Sequence, residues 1–549
     1  MSAAIFYHPE AYSTRGPKLM GRNAAGESFL RGFLSHGRQS AFYAQVDNAD
    51  HGQQFAEAVL ASGRSEPSGY VTRENLGALN KVNVVFHPGP VLGHHAWQRA
   101  LFGHGGWSLC GITHTTSSAA AMDAIADLLT APVQPWDALI CTSTAVKANV
   151  VQVLQAQLDY LKDRFGVTKL VLPQLPVIPL GIHTQDFAFS AAARETARQE
   201  IGVDPGTIVV LFAGRLSFHA KAHPLAMYQA LERVAEKTGQ DILLVECGWH
   251  GNDHIRDAFA QAATIACPRV RTITLDGRSA ANRARAWAGA DLFISLSDNI
   301  QETFGITPIE AMAAGLPVIV TDWDGYKDTV RQGQDGYRVP TLMPQAGMGV
   351  DLARRHALQI DTYDRYCGNA CMLVAVDQDA LDAALLTLVA SRESRATMGA
   401  AGQARARAIY DWSAIIPRYE ALWSEQRELR RAYGPQLKRL AHPWPARLDP
   451  FLGFAAYPTR QLTRDTIFAL VDADAETSAA HLARLQQLDM VSFAPLIMAT
   501  TAEVAAMLDV LSSGPHSAES LIAVVDVPRR PFAMRSLVWL GKLGIIKLA

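Results

Sequence analysis

What most constrains this chain is a regular alternation of short apolar runs with longer amphipathic segments, from the first residues to about 340. Residues 3–7 (AAIFY), 40–45 (SAFYAQ), 82–86 (VNVVF), 108–113 (SLCGIT) and 137–142 (DALICT) read as strands, with helical patterns such as 24–35, 117–129 and 143–165 between them. A run that is apolar on both faces suits a strand covered on both sides, the environment of a parallel sheet flanked by helices. A second series begins at 207–213 (TIVVLFA) and continues through 241–246, 270–275, 291–296 and 317–321. Between the two series, 173–187 (PQLPVIPLGIHTQDF) is proline-rich and reads as a hinge. The expectation is an α/β chain with two doubly wound domains facing a cleft, and ligands at the carboxyl ends of the strands.

The boundaries implied are 1–185, 186–430 with an irregular insertion at 340–376, a linker at 431–458, and a mainly helical domain at 459–549. The last of these ends in SAESLIAVVDVPRRPFAMRSLVWLGKLGIIKLA, which reads as helix, turn, helix and short strand, a winged-helix-like order. With 50 basic and 52 acidic side chains overall, and 13 of each in residues 1–190, no bulk charge draws the chain to nucleic acid or to an anionic membrane. Six cysteines are too few for a disulfide framework. Cys110, Cys141, Cys247 and Cys267 sit in or beside apolar runs, as small buried hydrophobes do. Cys367 and Cys371 lack the second Cys/His pair that a structural zinc needs. The start, MSAAIFYHPEAYS, has no basic n-region, and no run approaches the ~18 apolar residues of a membrane span. A cytoplasmic location is expected, with peripheral contact at an inner membrane left open.

Residues 295–325, SLSDNIQETFGITPIEAMAAGLPVIVTDWDG, are the most informative stretch. A strand ends near Leu296, a loop carries Glu302, and a helix is expected with Thr307 as N-cap and Pro308 at its first position. On a purely structural reading, Thr307 and Glu310 form a capping box and Glu302 is a solvated loop acid. On a functional reading, the loop presents unpaired amides and the positive helix end to an anion, Gly305 lets the backbone approach a ligand, and the two acids accept hydrogen bonds from sugar hydroxyls. A diphosphate between two sugars fits that arrangement. The opposing cations come from GRLSFHAK (214–221), where Arg215 follows a strand and Lys221 lies six residues on. There is no GxxxxGK[ST], and no GxGxxG with a downstream acid.

ETFGITPIEAMAAGLPVI, preceded by GRLSFHAK at the appropriate distance, resembles the retaining glycosyltransferases of family 4, enzymes of the GT-B fold with two Rossmann-like domains. The resemblance covers about residues 1–430. It implies transfer of a hexose-type sugar from a nucleotide-diphosphate sugar (UDP or GDP) to a saccharide, lipid-linked or protein acceptor, as in polysaccharide assembly, with no metal and no cofactor. By position it implies that Arg215 and Lys221 hold the donor diphosphate, Glu302 faces the donor sugar and Glu310 the ribose. Phe304, Gly305, Ile306 and Thr307 would supply the loop amides, His114 in GITHTT an active-site histidine, and Gly26 in RNAAGESFL an acceptor-side glycine loop. Ala25 and Thr303 stand where the family commonly has glycine. The alternative is a non-catalytic nucleotide-sugar sensor whose carboxy-terminal domain, with Arg529, Arg530, Arg535 and Lys542, binds nucleic acid or protein, or pairs two copies of the chain.

Overall fold

Both apolar series form parallel sheets. The computed structural model describes residues 3–13, 21–438 and 440–549. The first sheet comprises β1 (Ala3–Phe6), β2 (Phe42–Gln45), β3 (Ser68–Val71), β4 (Val84–Phe86), β5 (Ser108–Ile112) and β6 (Ala138–Ile140), in the order β3-β2-β1-β4-β5-β6. The second repeats that connectivity with β7 (Ile208–Ala213), β8 (Ile242–Gly248), β9 (Arg271–Asp276), β10 (Leu292–Ser295), β11 (Val318–Thr321) and β12 (Gly336–Val339), in the order β12-β11-β10-β7-β8-β9. These are two Rossmann-like sheets, the GT-B architecture, and each has its switch point beside its first strand.

All six residues of β7 are buried, because alternate side chains enter different cores. Val209 and Leu211 pack with Phe293 on one face, and Val210 with Tyr228 and Leu231 on the other. Each such side chain gains about 1.5–3 kcal/mol over leaving it in water. The proline-rich 173–187 stretch is tied down along its length: Gln174 bridges to Ala138, Val177 to Cys141 and Ile182 to Asp411.

The helix Trp412–Tyr433 returns to the first sheet. There Tyr419 and Trp423 meet Phe86, and Gln426 Nε2 donates to the carbonyls of Leu109 (2.9 Å) and Trp136 (3.0 Å). The 340–376 insertion, expected to be irregular, is a pair of helices, Val350–Ala357 and Tyr363–Cys371. They are bracketed by the antiparallel strands β13 (Thr341–Leu342) and β14 (Ala375–Val376).

The chain divides into two compact units, Met1–Trp444 and Pro445–Ala549. The second holds a three-stranded sheet of β15 (Ile467–Leu470), β16 (His516–Ser517) and β17 (Ile546–Leu548), in the order β16-β15-β17. Its helices pack around Met507, Leu521, Leu537 and Leu540. Ala518–Ala523, a turn, Arg530–Lys542 and β17 follow in the helix, turn, helix, strand order read from the sequence. Among the described residues, no single helix is long and apolar enough to cross a membrane; one sharply bent pair, Asp489–Ile497 with Thr501–Leu511, passes on length and composition.

Candidate functional site

The carboxyl ends of β7 and β10, at the switch point of the second sheet, converge on one cluster. Arg215 lies two residues beyond β7, where its Nη2 donates to Ala220 O at 2.8 Å and Gln301 Oε1 at 3.2 Å. Lys221 Nζ lies 2.5 Å from Glu302 Oε2, and both side chains are largely shielded from solvent. Burial by itself would raise the Glu302 pKa. Lys221 and the amides of Thr303 and Phe304 outweigh it, and the carboxyl is held below its ordinary value. Burial alone would lower Lys221; the adjacent carboxylate lifts it instead.

The following helix runs Ile306–Ala313, with Gly305 rather than Thr307 at the N-cap. The expected capping box is therefore absent. No side chain caps this helix, and Thr307 Oγ1 is enclosed without a hydrogen-bond partner. Pro308 sits third in the helix, still within the first turn, where backbone N–H groups have no helical acceptor to lose. Gly305 has φ +81°, and a Cβ there would collide with the Tyr326 ring. That ring is fully buried and its hydroxyl lies 2.9 Å from Ser295 Oγ. Released from capping, the half-buried Glu310 carboxyl is pushed up to about 7 by desolvation, against the pull of Arg283 and Lys221.

The first sheet closes over this cluster. Thr303 Oγ1 donates to His114 O at 3.1 Å, and Thr142 Oγ1 donates to Thr303 O at 3.4 Å. Thr144 donates to Asp328 through both its amide and its hydroxyl, each at 2.7 Å. Thr303, where a family glycine was expected, is thus a bridge between the sheets. Phe304 is buried, with Gly325 packed on its backbone, and Ile306 packs beside the same core.

Gly26 departs from expectation. It lies inside the helix Gly21–His36 and not in a loop, and a Cβ there would strike the carbonyl of Ala11. Its demonstrable role is to let the turn Pro9–Tyr12 pack on that helix.

Two residues that sequence reasoning missed belong to the cluster. Asp324, at φ 43°, accepts from Ser143 Oγ at 3.3 Å, while its Oδ2 is enclosed and unpartnered. Desolvation first, then the Glu302 charge, push it up to about 8. Arg283, tied by Nη1 to Gly277 O at 2.8 Å, supplies the charge that opposes the rise at Glu310. In the first sheet, His87 and His95 stack at 4.0 Å beyond β4, with Phe6 of β1 against both at 5.2 Å.

Cys367 and Cys371 are buried free thiols, and Cys371 Sγ donates to Asp298 Oδ1 at 3.2 Å. Among the described residues, one trio, His8, Asp47 and His51, brings ligand atoms within 4.8 Å of one another. Arg73 lies 2.5 Å from Asp47, a cation that opposes a divalent ion there.

Arg215 and Lys221 thus stand against a helix amino terminus at the switch point of one of the two Rossmann-like sheets, an arrangement of cations and unpaired amides that favours anions. Comparison with known proteins narrows this: residues 193–346 match the family model described as "Glycosyl transferases group 1". The D-inositol 3-phosphate glycosyltransferase of Rhodococcus erythropolis is 32% identical over 148 residues, which are 27% of this chain and 33% of that protein. Spore coat protein SA of Bacillus subtilis is 31% identical over 148 residues, 26% of this chain and 38% of that protein. The phosphatidyl-myo-inositol mannosyltransferase of Mycobacterium tuberculosis is 30% identical over 167 residues, 30% of this chain and 40% of that protein. The matched region therefore spans between a third and two fifths of these relatives. Among solved structures, Anabaena Alr3699/HepE in complex with UDP and glucose superposes with a TM-score of 0.48 at 16% identity, covering 77% of this chain and 100% of that one. Sucrose-phosphate synthase from Thermosynechococcus elongatus gives 0.47 at 18%, covering 78% and 99%.

Proposed function

We propose that this chain is a glycosyltransferase of family 4 that moves a hexose-type sugar from a nucleotide-diphosphate sugar, UDP- or GDP-linked, to a saccharide, lipid-linked or protein acceptor, with retained anomeric configuration. The observation that carries this reading is the convergence of Arg215, Lys221 and the amino end of Ile306–Ala313 beside Glu302, under the Thr303–His114 bridge.

As the bond from anomeric carbon to diphosphate oxygen breaks, negative charge grows on the leaving oxygen and positive charge on the ring. Arg215, Lys221 and the helix amides stabilise the first in place of a metal ion. Glu302 takes the donor sugar's hydroxyls, with the unpartnered Asp324 oxygen beside it, and Glu310 takes the ribose. The acceptor hydroxyl oxygen bonds to the anomeric carbon from the face that the diphosphate leaves and gives its proton to the departing diphosphate oxygen, with His114 orienting the reactants.

The alternative, a sensor that binds nucleic acid, loses support from its own basic residues. Arg529 is paired with Glu503 at 2.9 Å, Arg530 donates to the carbonyl of Val525 at 3.2 Å, and Arg535 stacks over Phe532 at 4.7 Å.

Losing one preorganised group of this kind costs about 3–4 kcal/mol of transition-state stabilisation. Donor hydrolysis against a panel of nucleotide sugars should reveal one turned-over donor, and Lys221→Ala should reduce its kcat/KM at least tenfold. Wild-type kinetics in that variant would remove the clamp from the mechanism.

A further inference from the structure

A second pocket lies where the 102–106 loop, which leads into β5, meets the end of the helix Trp412–Tyr433. It has a volume of about 470 Å³, and its lining includes Phe102, His104, Arg430, Arg431, Leu437 and Lys438. At the carboxyl-end cluster described above, acids balance the cations; among the described residues, no carboxylate lines this pocket.

The floor is built to be rigid. Gly105 and Gly434 approach so closely that a Cβ on Gly105 would lie 3.4 Å from the Gly434 Cα. Arg430 Nη1 donates to the carbonyls of Gly105 (2.9 Å) and Gly106 (2.6 Å), leaving its Nε without a partner. The nearest compensating acid, Asp137, is already held by Arg99 in a fully buried bidentate pair at 2.6 and 2.8 Å. Burial first, then the positive charges of Arg99 and Arg431, push the Arg430 pKa down to about 10. Burial is the larger cause, and Asp137, shared with Arg99, only partly offsets the positive charges around Arg430. Among the described residues, Arg431 and Lys438 form no ion pair, and both extend over this floor.

We propose that this pocket binds a phosphomonoester, a site separate from the diphosphate clamp. Arg430 is committed to the floor, its Nη2 facing Asn83 Oδ1 at 3.4 Å, and Arg431 and Lys438 are the two cations free to meet a ligand. A doubly charged phosphate matches that pair better than a carboxylate, and Arg431 can meet it through parallel N–H donors. The volume exceeds what a phosphate alone fills, and Phe102 and Leu437 give the remaining space an apolar side for the group that the phosphate carries. That chemistry is shared by a soluble sugar or polyol phosphate and by the headgroup of an anionic lipid.

The test uses the full chain and the double variant Arg431→Ala/Lys438→Ala, which leaves Arg430 and the loop it supports in place. Inorganic phosphate and glycerol 3-phosphate are titrated calorimetrically at low salt. Sedimentation is measured with vesicles of phosphatidylcholine, with and without phosphatidic acid. The expected result is phosphate binding that weakens at least tenfold in the double variant and returns in Arg431→Lys/Lys438→Arg. Retention on phosphatidic acid vesicles in addition assigns the lipid headgroup, whereas binding of glycerol 3-phosphate without vesicle retention assigns a soluble ester. The proposal is overturned if the double variant binds phosphate as wild type does, or if wild type binds neither phosphate nor vesicles.

Discussion

Gly305→Ala isolates the geometry on which the site depends. At φ +81° an L side chain costs roughly 1–2 kcal/mol, because its Cβ crowds the following carbonyl. The added carbon also meets the Tyr326 ring, which is fully buried and hydrogen-bonded to Ser295, so it cannot swing aside. Overpacking of that kind typically costs a further ~1–3 kcal/mol. The total is roughly 2–5 kcal/mol. For the cooperative unit ending at Trp444, an unfolding entropy of about 0.9 kcal/mol/K converts this to a fall in Tm of roughly 2–5 °C. Scanning calorimetry on wild type, Gly305→Ala and Gly305→Asn separates the two contributions. Asparagine tolerates left-handed backbone but keeps the Cβ, so it should recover only the conformational part. Donor affinity should fall with stability, since the same shift displaces the helix amides. An alanine variant within 1 °C of wild type and with unchanged donor binding would refute the claim that Tyr326 and Gly305 set this turn together.

Thr303→Val removes the hydroxyl bond to the His114 carbonyl, worth about 0.5–1.5 kcal/mol. The expected outcome is a two- to tenfold loss in kcat/KM with little change in fold by circular dichroism. Glu310 accepts hydrogen bonds from ribose hydroxyls more strongly as a carboxylate, and its pKa is about 7. Donor affinity should therefore strengthen as pH rises from 6 to 8, and Glu310→Gln should flatten that profile in calorimetric titrations of a nucleotide sugar. Glu246 is buried, accepts from Tyr228 at 2.5 Å, and is pushed up to about 7 by desolvation. Its contribution is intact below the ordinary pKa of 4.5 and lost as pH rises through 7, about 3 kcal/mol in all. Glu246→Gln should accordingly raise Tm relative to wild type at pH 8 and leave it nearly unchanged at pH 4.5.

The sheets were legible because strands such as β7 and β10 are buried on both faces and read as continuous apolar runs. The edge strand β3, Ser68–Val71, escaped notice because three of its four residues are at least partly exposed and one is glycine. The insertion helices were hidden for a related reason. Val350–Ala357 buries nothing, and Tyr363–Cys371 buries only two cysteines and a glycine, so neither reads as a helix packed on a core. At the site, Arg215, Lys221, Glu302 and Glu310 lie in contiguous motifs flanking strand ends. Asp324 lay in the same 295–325 stretch, three residues beyond β11, but nothing in its spacing set it apart from the neighbouring Asp322. Arg283 reaches the cluster only through the sheet's strand order, which spacing along the chain does not encode. Thr307 was misplaced because Thr-Pro is the usual way to open a helix, and a glycine held under a buried ring moved the start upstream.

The central claim is that fixed cations and helix amides hold a diphosphate without a metal. Titrating UDP and GDP, each with its monophosphate, into the full chain in excess EDTA tests it most directly. The account predicts that one diphosphate binds at least tenfold more tightly than its monophosphate in chelator, and that Lys221→Ala erases the difference. Binding that requires a divalent ion, or a variant that keeps the wild-type preference, would contradict it.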